Sequence, residues 1–255
     1  MSGKVYLIGA GPGAPDLLTL RAARLLAEAD VVLYDALVHP ETLALASRAE
    51  KVAVGKRCGR HSTAQRFISK RLVDAARRHR IVVRLKGGDP TLFGRAHEEI
   101  SFLQKNKVPV EIVPGVTAAF AAAADLGVSL TQRGKARSVA FVTPRVGEGE
   151  APSGWARAVA SADTAVLYMG AGDAARVRDA LIEAGVAPDM PVALVENASL
   201  EDSRSAVGTL AQLEALSATR GEGPAVILLG RVLTKAALSQ GEVADLVRVV
   251  AAVKR

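Results

Sequence analysis

The sequence predicts an α/β protein made of two α/β domains, residues 1–134 and 135–255, on three observations. Short apolar runs alternate with amphipathic helical patterns through the first half, which implies a mostly parallel sheet with helices on its faces. Every Gly/Pro-rich loop of interest follows one of those apolar runs, where ligands of open α/β sheets bind. Past Gln132-Arg-Gly-Lys135 the strand pattern restarts in a less strict order, which marks the second domain.

Val5 to Ile8 reads as the first strand and Leu17 to Ala29 as an amphipathic helix. Val31 to Tyr34 and Val52 to Val54 are the next strands. Ser62-Thr-Ala-Gln65 has the form of a capping box, opening a helix that runs to about His79. Ile81 to Leu85 is a strand, Arg95 to Gln104 a helix, Val110 to Val113 a strand and Thr117 to Asp125 a helix of small residues. In the second half, Ser138 to Thr143, Thr164 to Met169, Val192 to Val195, Ala206 to Gly208 and Ala225 to Leu229 read as strands. Helices are expected near Ala174 to Ala184 and Val243 to Val250, and Val146 to Gly154 reads as a loop.

Composition narrows the setting. A chain of 255 residues buries roughly 70–75% of its extended surface, enough for a core without staples. The single cysteine, Cys58, cannot form an internal disulfide, and no zinc-ligand spacing occurs, so a reducing, cytoplasmic setting is expected. The longest apolar stretch, Val116 to Ala124, is far short of the roughly 20 residues that span a bilayer. The net charge of +7 points to an anionic partner. Its excess is concentrated between Lys51 and Lys86, including Lys56, Arg57, Arg60, Arg66, Arg77, Arg84 and Lys86. Nucleic acid, a polycarboxylate and a solvated helix face each fit such a cluster. Aromatic content of 4% and the lack of interleaved aromatics argue against base-stacking platforms, so no nucleic-acid partner is expected.

Gly9-Ala-Gly-Pro-Gly-Ala14 satisfies a dinucleotide fingerprint after a strand, with Asp35 placed like a ribose-binding acid. Two prolines argue against that reading. A pyrophosphate cradle needs N–H donors at a helix N-terminus, and Pro12 and Pro15 have none. No lysine follows these glycines in P-loop form. Two further loops, Gly87-Gly-Asp-Pro90 and Pro114-Gly-Val-Thr-Ala118, follow later strands. Glycine permits close backbone approach to a ligand and proline stiffens the loop.

Gly9-Ala-Gly-Pro-Gly13 and Arg84-Leu-Lys-Gly-Gly-Asp-Pro90 with Phe93-Gly-Arg95 resemble motifs of the tetrapyrrole methylases, S-adenosylmethionine-dependent enzymes. Val54-Gly-Lys56, Val113 to Ala118, Ser129-Leu-Thr131, Ala165 to Gly170 and Pro191 to Asn197 follow in the order expected of uroporphyrinogen-III C-methyltransferases. The resemblance implies two α/β domains enclosing the methyl donor in the cleft between them, usually as a homodimer acting on a tetrapyrrole polycarboxylate. It carries donor contacts to Pro12, Gly87, Gly88, Asp89, Leu92, Thr117, Ala118, Met169 and Ala198. A proton acceptor falls on Asp35 and a proton donor on Lys56. The implied activity is methylation of two pyrrole carbons of uroporphyrinogen III; a later corrin precursor, or carriage of a tetrapyrrole without turnover, are the alternatives. No metal ligand is implied.

Methyl transfer to a pyrrole carbon needs in-line alignment, so positioning dominates. Relocating a proton elsewhere on the macrocycle suits a carboxylate and an ammonium, Asp35 and Lys56. Asp35 alternatively only hydrogen-bonds a loop, and Lys56 alternatively clamps a substrate carboxylate. Arg57, Arg60, His61, Arg95, Thr131 and Arg133 are expected on the substrate side, with complementary charge from the cations. His97, Glu98 and Glu99 read as helix surface or packing. The sequence departs from the family at Ala14, Ala36, Gln132 and Pro144-Arg145, and Arg133 or Arg145 is expected to replace a lost polar contact.

Overall fold

The computed structural model describes residues 3–55, 65–147, 151 and 153–234, and the chain folds as two units that divide after Ala118. The expected helix Val243 to Val250 and the start of the capping box at Ser62 lie outside the described residues.

The first unit is built on five strands, β1 (Lys4–Gly9), β2 (Val31–Tyr34), β3 (Glu50–Ala53), β4 (Ile81–Lys86) and β5 (Val110–Val113). All pair in parallel in the order β3-β2-β4-β1-β5. Parallel strands require crossovers, supplied here by α1 (Leu20–Glu28), α2 (Pro40–Ala44), α3 (Gln65–Arg78) and α4 (Ala96–Lys105). Alternation along each strand divides the core into two layers. Val5, Leu7, Val31, Leu33 and Val82 pack with Ile68, Leu72 and Leu103 of α3 and α4. Ile8, Val32, Val83 and Leu85 pack with Ala22, Leu25 and Leu26 of α1 on the other face.

Helix ends follow local chemistry. α1 starts at Leu20 rather than Leu17, because Pro15–Leu17 forms a 3-10 turn and the Thr19 hydroxyl accepts the Ala22 N–H at 3.2 Å. α2 was not expected from periodicity. Its signal is chemical: Pro40 in its first turn, preceded by His39, whose Nδ1 accepts the Glu41 N–H at 3.4 Å. α4 starts one residue late because Arg95 is left-handed, with φ 54°.

The second unit holds α5 (Ala118–Asp125), cut by the division at its first residue, then β6 (Val139–Val142), α6 (Trp155–Ala160), β7 (Thr164–Tyr168) and α7 (Ala174–Glu183). β8 (Pro191–Glu196), β9 (Arg204–Thr209), α8 (Leu213–Ala218) and β10 (Ala225–Gly230) complete it. The order is β6-β7-β10-β8-β9, with only β6 and β7 parallel. Val166, Leu167, Leu194, Ile227 and Leu228 are fully or almost fully buried. Leu167, Leu194 and Ile227 pack with Val177, Leu181 and Leu213 from the helices. Among the described residues no helix is long and apolar enough to cross a membrane.

Candidate active site

The ends of β1, β4 and β5 carry three loops that meet backbone to backbone. Gly11 and Gly88 form an antiparallel bridge, with the Gly88 N–H donating to the Gly11 carbonyl at 2.7 Å and the return bond at 3.3 Å. Ala10 N–H donates to the Lys86 carbonyl at 2.7 Å. Asp89 binds the third loop: its Oδ2 accepts the Gly115 N–H at 2.9 Å, while Oδ1 accepts the Thr91 N–H at 2.8 Å and the Thr91 hydroxyl. A Cβ on Gly9 would stand 2.6 Å from both the Gly88 carbonyl oxygen and the Gly115 Cα, so this contact admits only glycine. Gly88 is glycine for a different reason: its φ is +65°, with open space where a side chain would point. The expected ligand loops are therefore one rigid assembly. Asp89, a methyl-donor contact by the resemblance, has both oxygens engaged in holding the assembly together.

Pro12 and Gly87 are half-buried in this assembly, Leu92 is half-buried with its N–H on the Asp89 carbonyl, and Thr117 is buried at 7% exposure. Ala118 is the first residue of α5. α1 begins only at Leu20, so the glycines after β1 do not cap a helix and the dinucleotide fingerprint is not realised.

Asp35 lies at the end of β2, with its side chain 28% exposed, and joins the loops through β4. Its Oδ1 accepts from Arg84 Nη2 at 2.5 Å. Arg84 is 2% exposed; its Nε donates to Glu99 Oε1 at 3.0 Å and its Nη1 to the Leu85 carbonyl at 3.2 Å. Glu99, with no exposed side-chain surface, also accepts from Gln65 Nε2 at 2.8 Å and from Lys86 Nζ at 3.3 Å on each oxygen. Burial, reinforced by the neighbouring Arg84 charge, pushes the Lys86 ammonium below the ordinary lysine value, and Glu99 opposes that shift.

One sequence reading needs correction. Arg84 and Lys86 do not contribute to an open basic cluster, since both are buried and paired. Of the three residues read as helix surface or packing, Glu99 is packed inside while His97 and Glu98 are exposed, Glu98 held below the ordinary glutamate value chiefly by its hydrogen bond from Arg95. The signal for Glu99 was available. It shares a face of α4 with the buried Ala96 and Leu103, at helical spacing. Arginine and lysine in a central parallel strand, covered on both faces, also demand buried counter-charges.

On the expected substrate side, Arg95 is exposed and binds Glu98 through two nitrogens at 2.6 and 2.8 Å. Thr131 is exposed and lines an apolar groove of about 610 Å³ in the second unit, with Phe120, Leu130, Val139 and Phe141. Arg133 is exposed on the tight turn closed by paired bonds of 2.8 Å between Gln132 and Ala136. Lys56, Arg57, Arg60 and His61 lie outside the described residues; Gly55, just before them, packs against Asp35 and Ala36. The N–H of Arg145 donates to the Thr143 hydroxyl at 3.2 Å.

Met169 and Ala198 belong to the second unit. β7 and β8 both run antiparallel to β10, with Tyr168 and Val195 flanking Val226, so Met169 and Ala198 follow strands that end at the same edge. Met169 is left-handed at φ 58° and 46% exposed, whereas Ala198 is buried. Asn197 and Ser199 are also left-handed, and Asp125 Oδ2 fixes that turn by accepting the Ser199 N–H at 2.9 Å and the Ser203 hydroxyl at 2.7 Å.

A parallel five-stranded sheet with three glycine loops clasped at its carboxyl edge, followed by a mixed sheet, makes this an α/β protein with its candidate ligand loops on the first sheet. Residues 4–214 match the family model of tetrapyrrole (corrin/porphyrin) methylases, and the chain belongs to that family. It is 44% identical over 233 residues to a uroporphyrinogen-III C-methyltransferase of Pseudomonas aeruginosa, covering 91% of this chain and 95% of that protein. It is 48% identical over 234 residues to a siroheme synthase of Chromobacterium violaceum, covering 91% of this chain and 50% of that protein. The chain thus spans about half the length of the siroheme synthases it matches. A Thermus thermophilus uroporphyrin-III C-methyltransferase, solved with S-adenosylhomocysteine, superposes with a TM-score of 0.80 at 44% identity, over 91% of this chain and 99% of that one.

Proposed function

We propose that this chain transfers methyl groups from S-adenosylmethionine to two pyrrole carbons of uroporphyrinogen III, C-2 and C-7, giving precorrin-2 and S-adenosylhomocysteine. The observation that carries the proposal is the clasp of Gly9, Gly88 and Gly115, which packs three loops backbone to backbone at the carboxyl ends of β1, β4 and β5, where ligands of open α/β sheets bind. Its match to a family whose solved member holds S-adenosylhomocysteine supports the donor. Pro12, Gly87, Gly88, Leu92, Thr117 and Ala118 are the proposed donor contacts on the loops of the first unit, and Met169 and Ala198 keep the donor assignment that the family resemblance gives them. Asp89 serves by fixing the clasp.

In each transfer a pyrrole carbon attacks the donor methyl, the sulfur–methyl bond breaks, and its electrons neutralise the sulfonium. A proton must then leave the macrocycle. Asp35 accepts it, on the oxygen that Arg84 does not bind, and Lys56 returns a proton or clamps a carboxylate. Arg57, Arg60, His61, Thr131 and Arg133 hold substrate carboxylates, and Arg95 exchanges Glu98 for one of them. The protein acts as a homodimer in the cytoplasm and takes no nucleic acid.

The test is anaerobic incubation with S-adenosylmethionine and uroporphyrinogen III, followed by product mass. Gain of two methyl groups is expected. No gain with S-adenosylhomocysteine binding intact would move the substrate to a later corrin precursor or leave a carrier, and loss of binding as well would end the proposal. Sedimentation of the purified protein checks the dimer.

A further inference from the structure

Three charged side chains, Arg84, Glu99 and Lys86, and one amide, Gln65, form a single chain of contacts behind Asp35. Glu99 takes Arg84 Nε, Gln65 Nε2 and Lys86 Nζ, and Arg84 passes its far nitrogen to Asp35. All three guanidinium nitrogens of Arg84 are thereby committed, to Glu99, the Leu85 carbonyl and Asp35. A planar fork fixed at three points has one orientation. Among the described residues, nothing binds the second oxygen of Asp35, and that side chain retains 28% exposure.

Buried ion pairs of this kind contribute little net stability, because a well-packed apolar replacement is often as stable. Stability alone therefore does not account for placing Glu99, with no exposed side-chain surface, under Arg84. Orientation does. We infer that Glu99 is a positioning residue for Asp35: it fixes the Arg84 guanidinium, which in turn fixes the Asp35 carboxylate with one oxygen free. The inference rests on the proposed proton-accepting role of Asp35. Lys86 completes the device by balancing the second carboxylate charge, and it leads directly into Gly87-Gly88.

The test is a double-mutant cycle on kcat for methyl transfer to uroporphyrinogen III, with Glu99→Gln, Asp35→Asn and the pair. Each single change is expected to lower kcat by about 10- to 100-fold, as misplacement of a reacting group does. The pair should be no slower than the slower single variant, because Glu99 acts only through Asp35. If the two losses multiply, Glu99 is merely structural and the inference falls, while the role of Asp35 stands. If Asp35→Asn keeps wild-type kcat, the role of Asp35 falls and the inference with it. Should the wild type not turn over this substrate, a crystal structure of Glu99→Gln decides: loss of the Arg84–Asp35 contact supports the inference, and its retention overturns it. Should Glu99→Gln not fold, Arg84→Lys takes its place in both experiments, since lysine keeps the charge but has one nitrogen in place of the two with which Arg84 reaches Glu99 and Asp35.

Discussion

Replacing Gly9 by alanine adds one methyl group at the point where three backbone loops touch. The new Cβ would stand 2.6 Å from the Gly88 carbonyl oxygen and from the Gly115 Cα, and 2.7 Å from the Gly115 nitrogen. Ordinary contact requires roughly 3.5 Å, so the β4 and β5 loops must each retreat by about 0.9 Å. No flexible side chain can absorb this, because all three neighbours are backbone atoms. Overpacking of this kind costs about 1–3 kcal/mol. Retreat of Gly115 also strains its bond to Asp89, a hydrogen bond to a charged group worth about 1.5–3 kcal/mol. A total near 3 kcal/mol lowers Tm by about 6–12 °C in a chain of this size. A displacement near 1 Å also predicts a loss of about 100-fold in kcat/KM for methyl transfer. Scanning calorimetry and the anaerobic assay measure the two effects. Gly172→Ala is the control, since among the described residues nothing lies within 4 Å of where its Cβ would stand. A Gly9→Ala protein with the Tm and turnover of the wild type would refute the close packing of the three loops.

Arg84→Met leaves buried Glu99 without its main partner and should cost about 3–5 kcal/mol, read as a lowered urea midpoint. Asp163 accepts hydrogen bonds from the N–H of Arg137 and from the hydroxyl and N–H of Ser138, which hold its carboxyl below the ordinary aspartate value. Its contribution is present above that ordinary value and lost as pH falls through the lower folded one. The Tm difference between wild type and Asp163→Asn should therefore be constant from neutral pH to about pH 5 and shrink below about pH 4. Asp125→Ala frees the turn carrying Ala198, and amide exchange at Ser199 should accelerate by about tenfold, a loss near 1 kcal/mol.

Every expected strand whose residues are described is present, because short continuous apolar runs such as Val31 to Tyr34 and Ala225 to Leu229 mark strands buried on both faces. α2, α6 and α8 escaped because five or six residues are too few to show a period of 3.6. The loops were legible as glycine and proline after strands. Their joining through Gly11–Gly88 and Asp89–Gly115 was not, since it depends on β1 lying between β4 and β5. Charge misled most. Arg84 and Lys86 count toward the +7 in any one-dimensional tally, yet the fold neutralises them with Asp35 and Glu99, and no spacing rule links β4 to both.

The central place of β1 carries a kinetic consequence. β2 and β3 can pair as soon as Ala53 has been made, but both neighbours of β1 come much later, at Ile81–Lys86 and Val110–Val113. At roughly 5–20 residues per second, the apolar run Val5-Tyr-Leu-Ile8 waits on the order of 4–15 s for its first partner strand. During synthesis Val5 to Ile8 is thus an unpaired hydrophobic strand, open to a chaperone or to a neighbouring nascent chain. The sheet grows inward from β2 and closes around β1 last.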